Sequence, residues 1–177
     1  MKKIVILMMA VMVAVSGSLI AENISFSYGT NFFSPSNSGF ATSNGQVSAL
    51  EWTLDTGLTL GVINEQTVLD YASGGDIGDF SLTGIRITQN VIDRVSIGIG
   101  LGSATADFPV AGTAVTNPVV DIIGNVTIFE GQGEDISGSL VASIASRFMN
   151  TDTLNTGTDP VDNLDGTNIG LSVKLGF

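Results

Sequence analysis

The sequence predicts an all-β fold: a closed antiparallel up-and-down barrel of eight strands that cross a membrane. Apolar and polar residues alternate in eight segments, and a period of two is the spacing of a strand with one apolar face. The connections between these segments alternate between long and short. The 177-residue chain is 44% hydrophobic, yet it contains no apolar run of about 18 residues such as a membrane-spanning helix requires.

The N-terminal residues predict a signal peptide. A basic start, Met1-Lys2-Lys3, precedes the apolar run Ile4–Val15, which is shorter than the roughly 20 residues of a spanning helix. Small residues follow, as expected before a signal-peptidase site. We expect residues 1–21 to be removed by cleavage after Ala21, or alternatively after Ser18, which leaves a barrel domain of residues 22–177. An uncleaved anchor helix is the alternative interpretation.

The first three segments alternate cleanly. Their apolar faces carry, in order, Ile24, Phe26 and Tyr28; Leu50, Trp52 and Leu54; and Leu58, Leu60 and Val62. Asp55-Thr56-Gly57 separates the second segment from the third, and Asp and Gly are both suited to a tight turn. These segments are therefore predicted to be strands.

The fourth segment changes phase in its middle. Phe80 and Leu82 share one face, and Ile85 and Ile87 share a face with each other. The odd number of residues from Leu82 to Ile85 places the two pairs on opposite faces of a regular strand. One extra residue near Thr83-Gly84 would bring both pairs to the same face, so we expect a β-bulge there.

The last four segments repeat the alternation to the end of the chain. Their apolar faces carry Val95, Ile97, Ile99 and Leu101; Val120, Ile122, Val126 and Ile128; Ile136, Leu140, Ala142, Ile144 and Phe148; and Ile169, Leu171, Val173, Leu175 and Phe177. The final strand is thus predicted to end in an aromatic residue that is also the C-terminal residue.

The predicted connections alternate between long and short along the chain. The long ones are Asn31–Gly45, Asn64–Gly78, Ser103–Asn117 and Met149–Gly166, and the short ones are Asp55–Gly57, Gln89–Asp93 and Glu130–Glu134. Short turns at one end and long loops at the other are typical of transmembrane barrels. Closure is expected because an open sheet edge in lipid would leave backbone groups without hydrogen bonds. A secreted soluble β-sandwich is the alternative fold, and whether eight or ten strands close the barrel stays open.

Aromatic residues cluster near the predicted strand ends. We expect Phe26, Trp52 and Phe177 in a girdle at the inner interface, with a second girdle at the outer interface made by Phe32, Phe33, Phe80 and Phe148. The phase of Phe129 points inward, so it does not fit either girdle.

Charged residues on the polar faces predict an ion-pair network in the barrel interior. The candidate residues are Glu51, Arg86, Asp121, Arg147 and Lys174. We expect them to neutralise one another, since an unpaired buried charge is costly. Lys174 is predicted to pair with Glu51 or Asp121. The alternative is a pathway for ions or solutes lined by the same groups.

The composition argues against several functions. The chain has no His and no Cys, so it cannot form a Ser-His-Asp triad or a disulfide, and we do not expect an enzyme or a cofactor. From residue 22 onward four cations stand against 17 acidic residues, a net charge of −13, which excludes a nucleic-acid binder.

Two acidic regions are interpreted as solvated loops. One region contains Asp152, Asp159, Asp162 and Asp165, and the other contains Glu65, Asp70, Asp76 and Asp79. Residues 162–166 are similar to a calcium loop, but the first ligand position and the closing Glu are missing. We therefore expect no metal site.

The terminal alternation that ends in Phe177 resembles the assembly signal of bacterial outer-membrane barrels. The chain is similar to the small eight-stranded barrels of the OmpA transmembrane-domain, OmpX and opacity-protein type, and the residues do not indicate a subfamily. This resemblance implies location in the outer membrane of a Gram-negative-type envelope, with outer-membrane lipid and the insertion machinery as partners. It also implies a structural or surface-interaction role carried by acidic extracellular loops, with an unidentified extracellular partner. A small channel or transporter for ions or apolar solutes is the alternative function.

Overall fold

The fold is a closed barrel of eight antiparallel strands, as predicted. The computed structural model describes residues 24–36, 40–71, 74–108, 113–134, 136–149 and 165–177. The strands are β1 Ile24–Pro35, β2 Phe40–Thr53, β3 Leu58–Tyr71, β4 Asp76–Ile92, β5 Val95–Phe108, β6 Thr113–Gln132, β7 Ser137–Met149 and β8 Gly166–Gly176. Each strand pairs with its neighbours in sequence, and β1 pairs with β8, so no sheet edge remains open.

The register shows how strongly the strands are staggered. Gly176 of β8 lies opposite Ser25 of β1, and successive register partners lead round the barrel to Arg147 of β7. Arg147 lies opposite Gly166, so one circuit returns to β8 ten residues away from its starting point. Rows of paired residues therefore spiral along the barrel, because strand tilt and stagger are linked in a closed sheet.

The predicted long connections are wrong for three of the four, because the strands continue through most of them. Residues 36–39, 72–75 and 109–112 are all that separate those strand pairs, and only the β7–β8 connection, residues 150–165, is long. We call this side of the barrel the connector end. The turn end has the links 54–57, 93–94 and 133–136 together with Ile24 and Phe177.

The β2–β3 turn has the local structure that its sequence indicates. β2 ends at Thr53, so Leu54 belongs to the turn rather than to the strand as predicted. The Gly57 amide donates to the Leu54 carbonyl at 2.8 Å, and Gly57 has a φ of 78°, which a residue without a Cβ adopts at little cost.

Near the turn end the barrel is apolar outside and polar inside. In β5, for example, Ile97, Ile99 and Leu101 are exposed on the outer surface, while Ser96 and Gly100 face the interior. Twenty-five large apolar side chains of the described residues are exposed, most of them on this surface. We call this surface the apolar belt.

Toward the connector end the pattern is inverted. Thr83 and Ser103 are exposed on the outer surface, while the adjacent Leu82 and Ala104 are buried inside the barrel. The apolar core cluster fills this part of the interior, and it consists of Phe33, Leu69, Phe80, Leu82, Ala104, Val119 and Met149. On β4 and β5 this half thus has the polar exterior and apolar core of a water-soluble β-barrel.

This inversion explains the phase change in β4 and corrects the bulge predicted at Thr83-Gly84. The β4 register is continuous there with both neighbouring strands. Leu82 faces inward and Ile85 faces outward because the two residues lie on either side of the inversion. Register shifts occur elsewhere, between Ser43 and Gln46, Leu69 and Asp70, Asn90 and Ile92, and Thr127 and Phe129.

Of the four residues predicted for the outer girdle, two lie on the outer surface of the barrel and two do not. Phe32 and Phe148 are exposed on the outer surface, but Phe33 and Phe80 are buried in the apolar core cluster, with ring centroids 6.0 Å apart. The inward phase of Phe129 is also wrong. The register shift after Thr127 brings Phe129 to the outer surface, where it is 66% exposed.

Candidate functional site

Four charged residues of the barrel interior lie along one spiral row that also contains two glycines. Register partners run from Glu51 through Gly61 to Arg86, and from there through Gly100 to Asp121 and Arg147. A Cβ added to Gly61 would lie 3.1 Å from Glu51 Cγ and 3.3 Å from Arg86 Cγ. The glycine therefore provides the space in which Glu51 on β2 reaches Arg86 on β4 across the intervening strand.

The first group in this row, the Glu51 cluster, joins Glu51 to two cations. Arg86 Nε donates to Glu51 Oε1 at 2.8 Å, and Arg86 Nη2 lies 2.5 Å from the same oxygen. Lys174 Nζ lies 2.9 Å from Glu51 Oε2. Of the two predicted partners of Lys174, Glu51 and Asp121, the structure thus shows Glu51. Glu51 is buried, whereas the Lys174 side chain is 28% exposed.

The second group, the Arg147 cluster, lies nearer the connector end and is fully enclosed. Arg147 Nη1 and Nη2 donate to the two carboxylate oxygens of Glu65 at 2.8 and 2.9 Å. Arg147 Nε and Nη2 donate to Asp121 Oδ1 and Oδ2, both at 2.9 Å. Such paired bonds match the planar guanidinium to each carboxylate and orient all three groups. Arg147 is 1% exposed and Glu65 is 0% exposed.

Aromatic rings and amides complete the Arg147 cluster. The guanidinium carbon lies 5.1 Å from the ring centroid of Phe33 and 5.9 Å from that of Phe80, within the range of a cation–π interaction. Asn168 Nδ2 donates to Glu65 Oε2 at 3.0 Å, and Asn31 Nδ2 donates to Asn168 Oδ1 at 3.3 Å. The Arg147 cluster therefore connects the charged row to the apolar core cluster, which lies toward the connector end.

Glu65 is the interior residue that the sequence analysis missed, because it was interpreted as part of a solvated acidic loop. It lies within β3 at a position that faces inward, between the inward-facing Ile63 and Thr67. With Glu65 included, three carboxylates and three cations of the described interior offset one another in formal charge. The signal that could have identified it is a two-residue step from Gly61 through Ile63 to Glu65.

A polar cavity of about 400 Å³ lies between the Arg147 cluster and the turn end. Its walls are rich in Ser, Thr and Asn, and they extend from Arg147 to Asp93 and Arg94 in the β4–β5 turn. Ser25 Oγ and Asn31 Oδ1 are buried in this wall without a hydrogen-bond partner among the described residues. The cavity is polar and large enough to hold water that would satisfy them.

Phe177 closes the strand ladder at the turn end. Its amide donates to the Ile24 carbonyl at 2.9 Å, next to the pairing of β1 with β8, and its side chain is 44% exposed. The ring is thus available to a neighbouring molecule at the seam where the first and last strands meet.

The acidic regions are only partly described. Asp152, Asp159 and Asp162 lie outside the described residues, as does the signal peptide predicted for residues 1–21. Asp165 Oδ1 accepts a hydrogen bond from the Met149 amide at 2.6 Å, and Asp70 Oδ2 accepts one from Ser43 Oγ at 2.8 Å. Both carboxylates therefore brace the connector end.

Comparison with known proteins finds a likeness in fold but none in sequence. No protein-family model matches the chain, and no curated protein matches it. The chain is similar to the crystal structure of Neisserial surface protein A, with 10% sequence identity, a TM-score of 0.49, and coverage of 87% of this chain and 96% of that chain. In the part of the chain that the structure describes, no helix has the length and apolarity needed to cross a membrane. The fold assignment rests on the strand pairing of this chain itself.

Proposed function

We propose that this protein is an integral outer-membrane barrel of a Gram-negative-type cell envelope, with a structural or surface-interaction role. The observation that carries this proposal is the apolar belt around a closed barrel whose interior is charged. A soluble barrel places its apolar side chains inside, as this chain does only toward the connector end. Lipid is the environment in which an apolar exterior and a polar interior are both favourable.

The size of the exposed apolar surface supports the membrane location. Soluble monomers rarely expose contiguous apolar patches larger than a few hundred Å². Here residues such as Ile97, Ile122, Ile144, Val173 and Ile85 are about half exposed on five different strands. A single protein partner on one side could not cover a belt that extends over seven of the eight strands, whereas a bilayer could.

The filled interior favours a structural role over the channel or transporter. A solute that crossed the barrel would have to pass the Arg147 cluster, in which Arg147 is held by four hydrogen bonds, and then the apolar core cluster. Phe33 and Leu69 in that cluster are both 1% exposed, so their side chains are packed rather than in contact with solvent. The cavity therefore ends inside the barrel, and we propose that the protein does not conduct.

The remaining parts of the proposal follow from the sequence. A Sec-type signal peptide of residues 1–21 would direct export, and Phe177 would be read by the outer-membrane insertion machinery. The connector end, with its acidic β7–β8 connection, would face outward and meet an extracellular partner. We also propose that the protein is not an enzyme, because it has neither His nor Cys.

Two measurements on one preparation test this proposal. Fractionation of a Gram-negative host that expresses the gene should recover the protein in the outer membrane, with an intact mass that corresponds to cleavage after Ala21. Purified protein in planar bilayers should give no steady conductance. Recovery in the soluble periplasm would refute the membrane barrel, and stable single-channel currents would favour the channel instead.

A further inference from the structure

The cations of this chain are almost entirely inside the barrel. Beyond Lys3 the sequence contains four, namely Arg86, Arg94, Arg147 and Lys174. Three of these are held in ion pairs with interior carboxylates, and only Arg94 is exposed, in the β4–β5 turn. Arg94 also lines the mouth of the cavity, so no described cation lies on the apolar belt itself.

The turn end is acidic despite Arg94. Asp55, Asp93, Glu130 and Glu134 are all exposed there, so these five side chains carry a net charge of −3. At the connector end Asp79 is exposed, and the sequence places no Lys or Arg in any connection on that side. Among the described residues, the negative charge that borders the apolar belt is therefore concentrated at the turn end.

The groups that could anchor the barrel at a membrane interface are uncharged. Ile92 and Phe129, at the turn end, are 68% and 66% exposed, and Phe148 is exposed near the connector end. Basic side chains often reach from an apolar surface to lipid phosphates, in addition to aromatic rings at the headgroup level. In the part of the chain that the structure describes, the anchors next to the apolar belt are of the apolar and aromatic kind.

From this placement of charge we infer that the turn end of the barrel fits a leaflet with zwitterionic headgroups, and that anionic headgroups at that end oppose insertion. The inference rests on the membrane location proposed above, and it adds the class of lipid. A basic residue near an anionic membrane strengthens binding by about fivefold. An exposed carboxylate near an anionic membrane is repelled by it and weakens binding instead. Because exposed charges are screened within about 10 Å at moderate salt, this discrimination is largest at low ionic strength.

The test compares insertion into two vesicle types that differ only in headgroup charge. Processed protein is unfolded in urea and diluted at low salt into short-chain phosphatidylcholine vesicles, or into matched vesicles in which a third of the lipid is phosphatidylglycerol. Insertion is followed by the fluorescence of Trp52, the only tryptophan, and by the folded band on unheated gels. We expect insertion to be slower in the anionic vesicles by at least the roughly fivefold effect of a single charge, with the difference removed by high NaCl or by Mg²⁺.

A charge series at the turn end provides the matched control. Asp55→Asn with Glu134→Gln changes the net charge of the five exposed side chains from −3 to −1, and Asp55→Lys with Glu134→Lys changes it to +1. The rate in anionic vesicles should rise in that order, while the rate in phosphatidylcholine stays constant. Equal wild-type rates in both vesicles at low salt, or a difference that persists in high salt, would overturn the inference. Failure to insert into either lipid would instead refute the membrane location.

Discussion

Replacing Arg147 by Met would leave two carboxylates in the barrel interior without their cation. Glu65 is 0% exposed and Asp121 is 7% exposed, so neither can turn to bulk water. Removing one partner from a buried ion pair costs about 3–5 kcal/mol, because the other charge remains desolvated. Loss of the contacts with the rings of Phe33 and Phe80 acts in the same direction. We therefore expect the free energy of unfolding to fall by an amount near the upper end of that range.

The assay is urea unfolding of the refolded protein in lipid vesicles. Trp52 reports the transition, since it is the only tryptophan and lies on β2, away from the Arg147 cluster. The matched control is Arg94→Met, which removes the same functional group from an exposed turn. Surface substitutions of that kind usually change stability by no more than about 0.5 kcal/mol.

A compensated variant separates the loss of charge balance from the loss of packing. Arg147→Met combined with Glu65→Gln and Asp121→Asn contains no unpaired ion in this cluster, so it should recover most of the lost stability. Equal urea midpoints for Arg147→Met and Arg94→Met would refute this account of the interior. An absence of recovery in the compensated variant would show that packing, and not charge, explains the loss.

The other predictions concern single positions. Lys174→Met should cost only about 1 kcal/mol in the same urea titration, because Lys174 is partly exposed and Glu51 keeps a second cation; a loss as large as that of a buried pair would contradict the geometry. Gly61→Val should lower the urea midpoint by displacing the Glu51 pair, whereas Gly124→Val, whose added Cβ would meet its nearest atom at 3.6 Å, should be tolerated; equal effects would show that this space is not needed. Phe177→Ala should refold in vitro, since the lost burial is worth about 1.5–3 kcal/mol, but pulse-chase labelling in cells should find it as a protease-sensitive periplasmic precursor. Normal surface levels would reduce Phe177 to an interface anchor.

The sequence predicted the part of the barrel in which the polarity of the two faces is constant. Period-two alternation placed Ile97, Ile99 and Leu101 outside, and it also indicated the strand order and the inward direction of Arg147. That pattern is readable because each face meets one environment along several residues. The closed eight-stranded fold follows from the number of such segments.

The rest could not be read because the environment changes along the strand. Beyond the inversion the inner face becomes apolar and the outer face polar, so a strand such as β3 loses its alternation and resembles a loop. Glu65 was assigned to a solvated region for this reason, and Phe33 and Phe80 were assigned to a lipid interface. The extra residue before Phe129 shifts a register that only strand pairing reveals.

The central claim is that this barrel presents its apolar face to lipid and its polar face to the interior. Measuring the accessibility of spin labels at successive positions of β8 tests this claim most directly. The chain has no Cys, so the single variants Leu171→Cys, Ser172→Cys and Val173→Cys can each be spin-labelled at one thiol without competing thiols. In refolded vesicles, labels at 171 and 173 should be highly accessible to oxygen dissolved in lipid, and the label at 172 should be shielded from it. Labels at 171 and 173 that respond instead to a water-soluble nickel complex, or that are shielded from both reagents, would contradict a lipid-facing barrel.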